Sequence, residues 1–162
     1  MGKELIICYT DGACEPHNPN GIATYAYTID FGNGEGWKYA NVWGAGEGMT
    51  SNVAEYAAVR ELLNLLLYRG DALRHQKIMV YSDSRLVVNQ LSGLWKIKGG
   101  EYIPILLDIK TLLPKFDDLT FWWVPRDLNM EADQLTRDVY EDYCRGKGLK
   151  IKYIKAGKKG KR

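Results

Sequence analysis

The sequence predicts an α/β fold, a five-stranded mixed sheet of three antiparallel strands followed by crossover units, flanked by helices. Three observations carry that prediction. The first 45 residues hold three apolar or alternating blocks separated by turns rich in Gly, Pro and Asn. Beyond residue 50, helical and strand-like patterns interleave as crossover units do. A hydrophobic content of 46% in 162 residues is enough for one compact core, and no repeat or linker divides the chain.

Each element has a local reason. Residues 4–11 form an apolar run, and Gly12 to Gly21, with Pro16 and Pro19, reads as a turn-forming loop. Ile22, Thr24, Ala26 and Thr28 alternate with Ala23, Tyr25, Tyr27 and Ile29, the period of a strand over 22–30. Gly32-Asn33-Gly34 turns the chain into a third strand near Trp37–Ala45.

Thr50, Ser51 and Asn52 offer N-caps to a helix over Ala54–Tyr68, which contains neither Gly nor Pro. Glu55, Val59, Leu62 and Leu66 share one stripe of that helix, so Glu55 falls on the apolar side. Lys77–Asp83 is a fourth strand, leading into a helix from Ser84 to Gly93. Glu101–Leu113 is a further helix with Pro104 in its first turn. Leu119–Val124 is the fifth strand, and Asn129 caps a last helix whose inner face is Ala132, Leu135, Val139 and Tyr143. The order is βββαβααβα.

The net charge of +2 excludes a polycation, and the basic excess is local. Lys147, Lys150, Lys152, Lys155, Lys158, Lys159, Lys161 and Arg162 crowd one end, so residues 1–146 read as the domain and 147–162 as a basic C-terminal tail. Cys8, Cys14 and Cys144 match no metal-ligand spacing and read as reduced thiols. No signal peptide or transmembrane run is present, and a cytoplasmic, monomeric protein is expected.

Four carboxylates stand out against this background: Asp11, Glu55, Asp83 and Asp133. Each lies at or near the end of a segment that otherwise reads as apolar core, where acids are rare unless paired or metal-bound. Taken singly, each also has a plain alternative, and Glu55 is the hardest to explain that way. Asp11 suits a turn, Asp83 a helix cap, and Asp133 an ion pair with Arg137 four residues on. If the fold gathers the four, a divalent cation relieves their repulsion.

The blocks around these acids resemble type 1 ribonuclease H. They are Tyr9-Thr10-Asp11-Gly12-Ala13-Cys14, Asn18-Pro19, Thr50-Ser51-Asn52-Val53-Ala54-Glu55, Ser82-Asp83-Ser84, and Trp123-Val124-Pro125-Arg126 with Asn129 and Glu131-Ala132-Asp133. They follow the family's order over about residues 4–145. The resemblance implies a ribonuclease H-like fold and endonucleolytic hydrolysis of the RNA strand of RNA–DNA hybrids, leaving 5′-phosphate and 3′-hydroxyl ends. It implies that Asp11, Glu55, Asp83 and Asp133 are both catalytic and metal-binding, holding two Mg2+ ions, with Mn2+ as an alternative. It points to Cys14, Asn18, Ser51 and Asn52 for the 2′-hydroxyl contacts, and to Thr50 and Asn18 for a DNA-strand phosphate. Arg85 is a further candidate for phosphate binding. An RNA–DNA hybrid is the expected partner and double-stranded RNA a second candidate, with no membrane partner. The competing readings are a catalytically silent nucleic-acid-binding module and another nuclease of the ribonuclease H-like superfamily.

The chain departs from the family pattern in three places. The loop Val124 to Asn129 lacks the histidine that many members carry, as in the archaeal-type subgroup, and Arg126 is the nearest substitute. Arginine stays protonated, so it serves phosphate charge and not proton abstraction. Residues 93–102 are too short for the basic protrusion of some bacterial members, leaving Trp95, Lys96, Lys98 and the basic tail as replacements. Gly48 stands where a phosphate-binding arginine is expected.

Overall fold

A computed structural model describes residues 4–154. Five strands, β1 (Leu5–Glu15), β2 (Ile22–Asp30), β3 (Gly36–Ala45), β4 (Lys77–Ser82) and β5 (Asp118–Trp123), form one sheet in the order β3-β2-β1-β4-β5. The first three pair antiparallel, while β4 runs parallel to both β1 and β5. Four helices accompany them: α1 (Ser51–Tyr68), α2 (Arg85–Leu91), α3 (Ile103–Leu112) and α4 (Met130–Lys147). The predicted fold class and element order are those observed.

β2 is buried at eight successive positions, which requires cover on both faces of the sheet. On one face, Val59, Leu62, Leu63 and Leu66 of α1 meet Ile6, Cys8, Tyr25, Tyr27, Ile78 and Val80 in the main core, joined by Leu106 and Ile109 of α3. Removing one such side chain, as in Leu62→Ala, costs about 2–5 kcal/mol. On the other face, Tyr140 and Cys144 of α4 pack on Ile22 in a smaller cluster with Val42, Tyr143 and Tyr153.

Two expectations are corrected. β1 does not end at Asp11 but continues to Glu15, so only residues 16–21 form the loop predicted over Gly12 to Gly21. Gly12, Ala13 and Glu15 carry little strand signal and hide this extension, yet ladder pairing to β2 continues through Glu15↔Ile22 and buries Ala13 and Cys14. The buried stripe of α4 is Ala132, Thr136, Tyr140 and Cys144, one position on from the predicted Leu135, Val139 and Tyr143. Thr136 and Tyr140 tolerate that burial because their hydroxyls donate to the carbonyls of Asp133 and Lys152.

Helix α4 ends at Gly148 in a left-handed cap (φ 67°), a conformation that suits glycine. Residues 149–154 then reach the end of β1, where the Ile154 N–H donates to Glu15 Oε2 at 2.7 Å. Of the predicted basic tail, Lys155, Lys158, Lys159, Lys161 and Arg162 lie outside the described residues.

Candidate active site

The site begins where β4 stops. The parallel pairing of β1 with β4 runs from Leu5↔Lys77 to Thr10↔Ser82. Asp11 is therefore the first β1 residue with no β4 neighbour, although β2 still pairs with it through Ala26. Asp83 is the residue directly after β4, so both acids arrive at the carboxyl end of the same strand, where sites of α/β sheets gather. The Trp123 indole N–H donates to the Asp83 carbonyl at 3.1 Å, fixing that turn to the end of β5.

Glu55 comes from α1, and Gly12 explains how it gets there. A Cβ at Gly12 would lie 2.3 Å from the Ala54 carbonyl carbon and the Glu55 nitrogen, so only glycine lets the helix approach β1 this closely. The Gly12 N–H then donates to Glu55 Oε1 at 3.1 Å. Asp11, Glu55 and Asp83 are 1%, 2% and 8% exposed. Each offers a carboxylate oxygen, and these oxygens lie within 4.8 Å of one another. Like charges so close and so dry repel strongly, and a set of hard oxygen donors is the chemistry that suits a divalent cation such as Mg2+ or Mn2+.

Asp133 stands apart. It lies in the first turn of α4, outside the group of three, and its Oδ2 accepts from Arg137 Nε at 3.0 Å. The ion pair anticipated four residues on is thus present. Asn129 precedes α4, but its side chain makes no helix cap. Instead Asn129 Nδ2 donates to the Thr10 carbonyl at 2.9 Å, tying the start of α4 to the residue before Asp11.

The predicted substrate-binding residues fall into two groups. Asn18 and Ser51 form a reciprocal pair, Asn18 Nδ2 donating to Ser51 Oγ at 2.9 Å and the Ser51 N–H to Asn18 Oδ1 at 3.1 Å. Thr50 caps α1 by accepting from the Val53 N–H at 3.0 Å, and Asn52 is the next residue but one. These four therefore share the start of α1 and the 16–21 loop. Cys14 is buried on β1, and burial pushes its thiol above the ordinary range while the Gly21 backbone opposes that shift. A neutral, enclosed thiol is neither a nucleophile nor a metal ligand. The exposed Arg85 guanidinium stacks over Trp123, 3.9 Å from the ring centroid. Arg126 lies in the short 3-10 turn Arg126–Leu128 before α4, with its Nη2 buried and without a hydrogen-bond partner.

Two residues that shape the site are given no site role by the sequence. Gly12 falls in the predicted loop and Trp123 in the predicted fifth strand. The available signal was Gly12 itself, a glycine immediately after an apolar run and beside an acid.

The chain matches the reverse transcriptase-like family over residues 9–139. A bifunctional protein of Mycobacterium tuberculosis is 34% identical over 92 residues, which is 57% of this chain but 24% of that protein. The chain thus spans about a quarter of that relative's length. Among solved structures, RNase H1 from Halobacterium salinarum superposes with a TM-score of 0.73 at 28% identity, covering 85% of this chain and 98% of that one. LC11-RNase H1 in complex with an RNA/DNA hybrid gives 0.74 at 29% identity, with the same coverage. Together with the sheet order and the placement of the acids, these matches establish that the chain belongs to the reverse transcriptase-like family and has the type 1 ribonuclease H fold.

Proposed function

We propose that this chain is a ribonuclease H, an endonuclease that hydrolyses the RNA strand of RNA–DNA hybrids and leaves 5′-phosphate and 3′-hydroxyl ends. The observation that carries the reading is the buried group of Asp11, Glu55 and Asp83, set at the end of β4 in this fold. The likeness to a ribonuclease H1 solved with an RNA/DNA hybrid supports the substrate class.

Asp11, Glu55 and Asp83 would hold Mg2+ or Mn2+, with Asp133 as the fourth carboxylate of a two-ion site. When bound, such ions activate water and offset charge on the phosphate and the leaving oxygen. The protein's own contribution is placement. Gly12 and the start of α1 fix Glu55, Asn129 fixes the start of α4 against β1, and Trp123 fixes the Asp83 turn.

Asn18, Thr50, Ser51 and Asn52 offer short polar groups on one flank, suited to 2′-hydroxyl and phosphate contacts that distinguish RNA from DNA. With its thiol enclosed, Cys14 would act through its backbone. Arg85, steadied on Trp123, would meet a phosphate. Arg126 would complement phosphate charge in the loop that lacks a histidine.

The test is cleavage of an end-labelled RNA–DNA hybrid with Mg2+ or Mn2+, beside double-stranded RNA and four-way DNA. Metal-dependent cuts confined to the RNA strand of the hybrid are expected. No cleavage with either metal, combined with tight hybrid binding, would point instead to a silent binding module.

A further inference from the structure

The C-terminal segment reaches the site through one side chain. Arg137, which holds Asp133, also lies over the ring of Tyr153, 5.4 Å from its centroid. Tyr153 is itself fixed on α4. Its hydroxyl donates to Glu141 Oε2, and its ring meets Tyr140 edge-on at 5.2 Å. The flanking residues are also pinned, with the Lys152 carbonyl accepting from the Tyr140 hydroxyl and the Ile154 N–H donating to buried Glu15. Residues 152–154 are therefore docked at several points, and one of those contacts orients the cation that neutralises Asp133.

We propose that Arg137 is a positioning residue for Asp133 and that Tyr153 sets its position, so the C-terminal segment tunes how Asp133 meets a divalent cation. This rests on the reading of Asp133 as the fourth carboxylate. Arg137 and a metal ion compete for the same carboxylate oxygen. With 37% of the Arg137 side chain and 17% of Asp133 exposed, the pair is screened enough to yield, yet ordered enough to matter. A ring beneath the guanidinium limits its freedom to swing away. Loss of that ring frees Arg137 and weakens the competition.

The experiment is calorimetric titration of the full chain with Mn2+, with thermal unfolding recorded for each variant. Asp133→Asn is expected to weaken Mn2+ binding about fivefold, and Arg137→Ala to tighten it about fivefold, the scale of one partly exposed ion pair. Tyr153→Ala should tighten binding in the same direction as Arg137→Ala. The double variant should bind no tighter than Arg137→Ala alone, because both act on one contact. Tyr153→Phe keeps the ring and should bind as the wild type does. Tyr153→Leu replaces Tyr153→Ala if the smaller side chain prevents folding.

A purely structural Tyr153 would lower the unfolding temperature and leave Mn2+ affinity unchanged, and that result overturns the proposal. Unchanged affinity in Asp133→Asn overturns the reading of Asp133 itself, and the proposal with it. A change in Asp133→Asn with none in Arg137→Ala or Tyr153→Ala overturns the coupling alone.

Discussion

Two sets of acids in this molecule carry the same charge and live under different rules. Asp11, Glu55 and Asp83 come from three elements that the fold packs tightly, and they are almost wholly buried within 4.8 Å of one another. Asp133 sits on the flank of a helix, partly exposed, with Arg137 already in place. The first set gathers three acids in a dry setting whose donor chemistry suits a divalent cation, whereas the second carries an arginine on its own helix. Burial thus separates the three central acids of the candidate metal site from its ion-paired fourth more sharply than residue type does.

That contrast can be broken most forcefully at Asp11. Asp11→Asn should reduce hybrid cleavage by at least about 100-fold, since loss of even a supporting residue at a metal site costs about 10–100-fold. The same change should stabilise the metal-free protein by about 1–3 kcal/mol, because one of three crowded charges is gone. A melting curve at low salt with chelator present checks this, and a loss of stability would argue against the repulsion.

Gly12→Ala comes next. Its Cβ must displace the backbone of α1 at Ala54, and overpacking of this kind costs about 1–3 kcal/mol or more. Denaturant unfolding should show that loss, with cleavage falling as well because Glu55 shifts with the helix. Asn129→Ala removes the tie between α4 and β1, and leaves the Thr10 carbonyl short of a buried donor at a cost of about 1–3 kcal/mol. It should impair cleavage while leaving the three acids of β1, α1 and β4 able to bind Mn2+, which sharpens the separation between the two sets. Arg126→Ala should have the smallest effect. A phosphate contact at the edge of the site should raise KM by less than about tenfold and flatten its salt dependence, with kcat nearly kept.

Much of this was legible in the sequence, for identifiable reasons. Glu55 announced itself because helical periodicity placed a charge in an apolar stripe, and the structure buries it there. The topology followed from turn chemistry and the alternation of strand and helix patterns. What escaped was set by tertiary contact. Residues 12–15 look like a loop because Gly12, Ala13 and Glu15 carry little strand signal, yet β2 pairs with them. The face of α4 was misplaced by one residue because Leu135 and Val139 are more apolar than Thr136 and Tyr140. Hydrogen bonds to the Asp133 and Lys152 carbonyls let those polar residues turn inward. Asn129 looks like a cap in sequence, but its amide is spent on β1.

The central claim is that Asp11, Glu55 and Asp83 form the core of one cation-binding unit, with Asp133 as its partly exposed fourth carboxylate. Calorimetric titration with Mn2+ of the wild type, Glu55→Gln and Asp133→Asn tests this directly. Glu55→Gln should lose at least about tenfold in affinity, and Asp133→Asn about fivefold. Wild-type affinity in Glu55→Gln, or a greater loss in Asp133→Asn than in Glu55→Gln, would contradict it.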